Sequence, residues 1–266
     1  MYDENIGAVA EAARTKASSA ARDPLGYFVS SMLAGMYVGV GIALIFSIGA
    51  PLAGSGSPFL KALMGASFGI ALTLVIFAGS ELFTGNNLVM TIGLAKGKAT
   101  VSLLGRVWLL SWIGNLAGSM LLAWLVVSSG ALAHAREFIM TASAGKMNLA
   151  PWPLFLRGVL CNWLVCLAVW TAGRARSESA KCILIFWCLF AFIACGFEHS
   201  VANMTLLSMA LFAPHGPEIA WTGFAYNLSI VTMGNIVGGA GFVGGTYLLI
   251  SRKTRSDSPS VESKET

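Results

Sequence analysis

Gly79-Ser80-Glu81-Leu82-Phe83-Thr84-Gly85-Asn86-Asn87 lies inside a long apolar run, and Gly196-Phe197-Glu198-His199-Ser200-Val201-Ala202-Asn203 lies inside another. Runs this apolar belong in a bilayer. Non-helical backbone at bilayer depth survives only where protein or a water-filled cavity satisfies its N–H and C=O groups. Two polar interruptions therefore predict two broken membrane helices around an internal path. The spacing also predicts a repeat. Gly79-x-Glu81 and Gly196-x-Glu198 stand 117 positions apart, and Gly114-Asn115-x-x-Gly118 and Gly234-Asn235-x-x-Gly238 stand 120 apart. Each pair falls in corresponding spans of two three-span halves. An odd number of spans per half makes the halves insert in opposite directions, and inverted repeats of this kind build pores and transporters.

Around the two breaks, six apolar stretches run near Tyr27–Ala50, Ala62–Leu94, Val107–Ser128, Pro153–Gly173, Cys182–Phe212 and Trp221–Ile250. The expected fold is an all-α membrane protein: six transmembrane helices in an inverted repeat, with the second and fifth broken. The 266 residues are 56% hydrophobic and 11% charged, with a mean hydropathy of +0.74. A soluble domain carries about 25% charged residues. The shortfall excludes a disordered chain, a nucleic-acid-binding module and an ordinary soluble enzyme. The net charge of +5 does not reopen the nucleic-acid reading, because the positive residues flank apolar runs.

Sorted by loop, thirteen Lys and Arg share a side with the termini and three (Lys61, Arg136, Lys146) lie on the other. The positive-inside rule places both termini in the cytoplasm, and the chain in the cytoplasmic (inner) membrane as a multi-pass protein. Residues 1–26 read as a cytoplasmic amphipathic segment, with Ile6, Val9, Ala10, Ala13 and Ala17 on one stripe laid on the membrane surface. Residues 27–250 form the channel domain, with repeats at about 27–129 and 153–250, and 251–266 form a disordered cytoplasmic tail. Cys161, Cys166, Cys182, Cys188 and Cys195 are odd in number and lack Cys-x-x-Cys spacing, so they predict packing residues and no disulfide framework or metal site. No cofactor is expected.

Three pieces carry a resemblance: Gly79-Ser80-Glu81-Leu82-Phe83-Thr84-Gly85, Leu160-Cys161-Asn162-Trp163-Leu164-Val165-Cys166-Leu167-Ala168-Val169-Trp170, and Gly196-Phe197-Glu198-His199-Ser200-Val201-Ala202-Asn203-Met204. Through them, from Asp23-Pro24-Leu25-Gly26 to the sixth span, the chain resembles the formate/nitrite transporter family, its bacterial nitrite channels above all. The resemblance implies an aquaporin-like protomer and a homopentamer with one pore per protomer. It places Thr84 and His199 in the two breaks, Asn162 and Asn203 along the substrate path, and Lys146 in a vestibule. It makes Phe68, Leu72, Leu82, Phe83, Val165 and Phe192 apolar constrictions. Glu81, where the formate branch often has Asp, leans towards nitrite.

The residues themselves support part of this. His199 is the only histidine inside an apolar span, and imidazole can donate a hydrogen bond to an anion or supply a proton near neutral pH. Glu81 and Glu198 are costly in hydrocarbon and need partners. Both are read as pinning the broken backbone by accepting its exposed N–H groups. Asn115 and Asn235, among small residues that permit close helix contact, are read as structural, their amides holding the breaks. The expected function is a channel or transporter for small monovalent anions, nitrite first, with formate or hydrosulfide as alternatives. An aquaporin-like neutral-solute pore ranks lower because neither break carries Asn-Pro-Ala. An enzyme is not expected, since there is no His-Glu-x-x-His and no convincing Ser–His context.

Overall fold

The computed structural model describes residues 2–256. Among them all regular structure is helical. Helix α1 (Asp3–Arg22) is followed by α2 (Pro24–Gly54), the first crossing. Pro24 starts α2 where a missing N–H costs nothing, and the Asp23 carboxylate accepts from the Gly26 N–H at 2.9 Å. The second crossing is made of α3 (Leu60–Ser67), α4 (Gly69–Leu74), a π-helical turn (Val75–Gly79) and, after the break, α5 (Phe83–Ala95). Helix α6 (Val101–Ser129) completes the first half. The second half repeats the plan with α8 (Pro151–Arg174), α9 (Glu178–Ala194), a break, α10 (Ser200–Phe212) and a last crossing. That crossing joins α11 (Trp221–Ile236), a π-helical stretch (Val237–Gly245) and α12 (Thr246–Ser256). Among the described residues, five segments are individually long and apolar enough to cross a membrane. The remaining crossing is shared between α9, of 17 residues, and α10, of 13.

The breaks have one cause in both halves. Gly79 and Gly196 adopt φ of +78° and +73°, a left-handed conformation that residues with a Cβ rarely take, and each ends the helical run there. The short helices then cross over. α5 packs on α8 and on the π-helical stretch of the last crossing, whereas α10 packs on α2 and α6 of the first half. α3 and α4 lie along α9. Each half thus closes around a piece of the other. The unbroken helices approach closely through small residues. A Cβ on Gly118 would lie 1.9 Å from the Met32 carbonyl oxygen, and one on Gly238 2.2 Å from that of Val159. These are equivalent contacts, α6 on α2 and the last crossing on α8.

Three features differ from the sequence reading. The amphipathic stripe of α1 does not lie on the membrane surface. Ile6 and Ala10 pack with Leu88, Ile92 and Trp170, and Ala13, Ala17 and Ala20 with Val89, Met90 and Val107. The apolar face is one side of an intramolecular contact, which composition cannot tell from a lipid-facing one. Second, the connection between the halves contains a helix, α7 (Arg136–Met147), whose few apolar residues hid it. Third, the last crossing continues past Ile250 to Ser256, and the Ser251 hydroxyl donates to the Asp3 carboxylate at 2.6 Å. The rest of the segment read as a disordered tail, 257–266, lies outside the described residues.

Candidate functional site

The breaks are held by asparagines. Asn115 on α6 accepts the Phe83 N–H at 2.9 Å and donates to the carbonyls of Ser31 and Glu81 at 2.7 and 2.9 Å. Asn235 on α11 accepts the Ser200 N–H at 2.9 Å and donates to Gly158 and Glu198 at 2.8 and 3.0 Å. One amide supplies an acceptor and a donor to break backbone that has no helical partner, as burial demands, and a second donor ties the break to a carbonyl of the neighbouring helix, α2 or α8. The Glu81 and Glu198 N–H groups find Ser30 and Arg157 carbonyls on α2 and α8.

The carboxylates do a different job from the one the sequence suggested. Among the described residues neither accepts a backbone N–H. Glu81 Oε2 accepts from Lys16 at 2.6 Å, from the Tyr27 hydroxyl at 2.7 Å and from Asn86 at 3.2 Å. Both Glu198 oxygens accept from Lys146 at 2.7 Å, and Oε2 also accepts from Asn203 at 2.7 Å. Lys–Glu–Asn therefore occurs twice, once on each side of the pseudo-symmetry. Lys16 and Lys146 come from α1 and α7, so the repeat extends beyond the two three-span halves. Lys16, Tyr27 and Asn86 escaped the sequence reading, as did Asn227, which accepts from Asn203 at 2.9 Å. Asn86 had a signal: it follows Glu81 by five positions, as Asn203 follows Glu198.

The N-termini of α5 and α10 meet at the centre. Thr84 Oγ1 and His199 Nε2 lie 3.1 Å apart, both buried. His199 also caps α10, its Nδ1 accepting the Ala202 N–H at 3.1 Å. A backbone N–H can only donate, so in the neutral ring the hydrogen sits on Nε2 and points to Thr84. The Thr84 hydroxyl hydrogen is left free to donate elsewhere. Both short helices present their positive dipole ends at this point. Against His199 lies a cavity of about 10 Å³ lined by Val38, Phe68, Ala71, Leu72, Leu82, Val165, Leu189 and Phe192. That is about the least space that holds one water. Phe68 meets Phe192 edge-on at 5.5 Å, and Phe192 stacks on the His199 ring at 5.9 Å. Of the expected constriction residues, Phe83 is set apart. Its ring packs edge-on against Trp108, 6.3 Å between centroids, and it does not line this cavity.

Beyond this small apolar cavity a larger one of about 280 Å³ reaches from His199 past Phe192, Ala202 and Asn203 to Lys146 and Lys61. Asn203 and Lys146 thus border a vestibule. Asn162 does not border either cavity. Its side-chain amide donates to the Thr84 carbonyl, to Asn87 and to the Asn235 carbonyl at 3.2, 2.9 and 2.6 Å, bracing the first turn of α5. All five cysteines are free; Cys161 and Cys166 are buried as packing residues, whereas Cys195 is exposed beside the second break.

Comparison with known proteins settles the family. The model of the formate/nitrite transporter family matches residues 3–249. The chain belongs to this family. It is 43% identical to the nitrite transporter NirC of Salmonella typhimurium, over 97% of this chain and 96% of that one. It is 44% identical to the nitrite transporter NirC of Escherichia coli K12, over 93% and 91%. Among solved structures it superposes on an FNT family ion channel with a TM-score of 0.88 and 42% identity, covering 93% of this chain and 98% of that one. A pentameric formate channel with formate bound gives a TM-score of 0.77 and 31% identity, covering 85% and 97%. The members of this family are membrane channels and transporters, not enzymes, and the all-helical aquaporin-like fold is theirs.

Proposed function

We propose that this chain is a nitrite channel of the cytoplasmic membrane, a homopentamer with one pore per protomer and both termini in the cytoplasm. One observation carries the anion reading: two half-helix N-termini converge on Thr84 and His199 inside an apolar ring. An ion forced through that ring sheds its water, at a cost of several kcal/mol. The converging dipoles and the free Thr84 hydroxyl hydrogen replace part of the lost solvation for a negative charge and oppose a positive one. His199 Nε2–H, by donating to Thr84 Oγ1, orients that hydroxyl. A second proton on His199 would have to go to Nδ1, where it would displace the Ala202 N–H and cost α10 its cap. The neutral ring therefore works as an orienting donor.

The choice of nitrite rests on the two NirC relatives and on Glu81. Formate is the second reading, favoured by the likeness to the formate-bound pentamer. The test is purified protein in liposomes, with nitrite, formate, hydrosulfide and nitrate uptake compared under one fixed pH gradient. Nitrite flux above formate flux is expected. Formate flux exceeding nitrite flux would transfer the chain to the second reading, and water flux without any anion flux would sink both.

A further inference from the structure

Lys146 is the vestibule lysine that family resemblance selects, yet its ammonium is spoken for. It sits 2.7 Å from both oxygens of Glu198, whose side chain is 3% exposed. At that range the two charges cancel for any ion approaching from the mouth. Among the described residues only one other charged residue lines the vestibule, Lys61. Among the described residues Lys61 has no acidic side chain within ion-pairing distance and is exposed at the rim. Its position is also locally unfavourable. Lys61 is the second residue of α3, where the positive end of the helix dipole disfavours a cation. A residue that breaks a local rule without structural compensation points to a use elsewhere.

We propose that Lys61, not Lys146, gives the outer vestibule its net positive potential and sets the rate at which anions enter it. The inference rests on the anion-channel reading and deepens it. The vestibule walls are mostly apolar, from Ile42, Ile45, Phe46 and Met64 to Phe192. Low-dielectric walls focus the field of one unpaired charge into the cavity, and steering of this kind raises association rates by about tenfold or more. Lys146 and Glu198 then serve as a neutral clamp on the break. The proposal also identifies what enters. A steered species is the anion itself; its conjugate acid would not respond to the charge at position 61.

The test uses the full-length protein in liposomes with Lys61→Gln, Lys61→Glu and Lys61→Arg. Initial nitrite uptake at low nitrite is measured at about 10 mM and about 1 M ionic strength, where the Debye length falls from roughly 30 to 3 Å. At low salt, Lys61→Gln is expected to lose about threefold or more of the wild-type rate, Lys61→Glu more still, and Lys61→Arg little. At high salt the four proteins should converge, and flux at saturating nitrite should differ little throughout. Equal low-salt rates for wild type, Gln and Glu would overturn the proposal. So would a Gln or Glu deficit that persists undiminished at high salt, since that is the mark of a structural change. A wild-type protein that conducts no small anion would remove the channel reading itself, together with this inference.

Discussion

His199 does three things with one ring: Nδ1 caps α10, Nε2 donates to Thr84, and the face stacks on Phe192. Substitutions separate these roles. His199→Asn keeps a side-chain oxygen able to cap Ala202, so folding should be retained. His199→Phe removes the cap and should lower thermal stability by about 1 kcal/mol. If the neutral ring is the working form, Asn should also keep the wild-type pH response of anion flux, whereas Phe should lose selectivity. A pH response abolished by Asn would restore a proton-donor role. Asn115 and Asn235 make a second residue-scale case. Replacing either with Leu leaves one N–H and one carbonyl of the break buried without partners, at about 1–3 kcal/mol for each group left unpaired. Both variants should melt earlier in detergent, and by similar amounts because the two sites are equivalent. A wild-type melting curve for Asn115→Leu would show that the break holds itself. The structural reading of these asparagines was available from Gly114-Asn115-x-x-Gly118 and its copy, since a polar amide among small apolar residues needs a buried partner. The carboxylate roles were not. Nothing local to Glu81 shows that Lys16, 65 positions away, reaches it.

At the scale of elements, α1 is the piece whose docking was hardest to read. Its stripe was legible, but an apolar stripe on a short helix serves lipid and protein equally well. What fixes it is Lys16 on Glu81 from one side and Glu11 from the other. Glu11 meets Lys98 at 2.5 Å and Arg14 at 2.6 Å. These two cations, Lys98 first, hold its carboxyl below its ordinary value of 4.5. A lowered folded value stabilises the docked helix above the unfolded value, and the contribution is lost as pH falls through the lowered one. Docking through Glu11 should therefore be constant from neutrality to about pH 5 and weaken only in stronger acid. Hydrogen exchange across α1 would show this as a rise confined to acid. Glu11→Gln should raise exchange modestly at all pH values, as befits an exposed pair, and flatten that acid step. An acid step of equal size in the Gln variant would assign the effect to another group. The broken helices themselves were easy to foresee, because a polar run inside an apolar one has few physical explanations. α7 was not, having no apolar periodicity strong enough to stand out.

For the whole molecule, the crossings, the inverted repeat and the family were legible because they rest on patterns hundreds of atoms wide. The orientation and the assembly are open to direct measurement. Cysteine placed at Ser55, at the end of α2, should label only from outside, and cysteine at Ser179, at the start of α9, only from inside; labelling on the opposite sides would invert the topology. Native mass spectrometry from mild detergent should give a species of five chains, the stoichiometry of the formate channel that the fold matches. A stable monomer as the sole species would reject the pentamer.

The crossover of the short helices has a consequence for how the protein is made. α5 has 13 residues, about 20 Å of helix, and cannot bridge a hydrocarbon layer of about 30 Å. α1 and α6, on which it packs, belong to the first half, but α8 and the last crossing, on which it also packs, are synthesised later. Asn115 and Ser30 already hold the break before it, but until those partners arrive α5 is only partly enclosed, and the first half waits in the membrane as an open intermediate. Neither half is a unit that can be completed and stored. A ribosome stalled after Ser129 should hold a nascent chain whose α5 proteases cut more readily than in the finished protein, and full protection of α5 should appear only once α8 and the last crossing have emerged. The pore is thus closed late in biosynthesis, and an incomplete chain has no means of forming a leak with a finished filter.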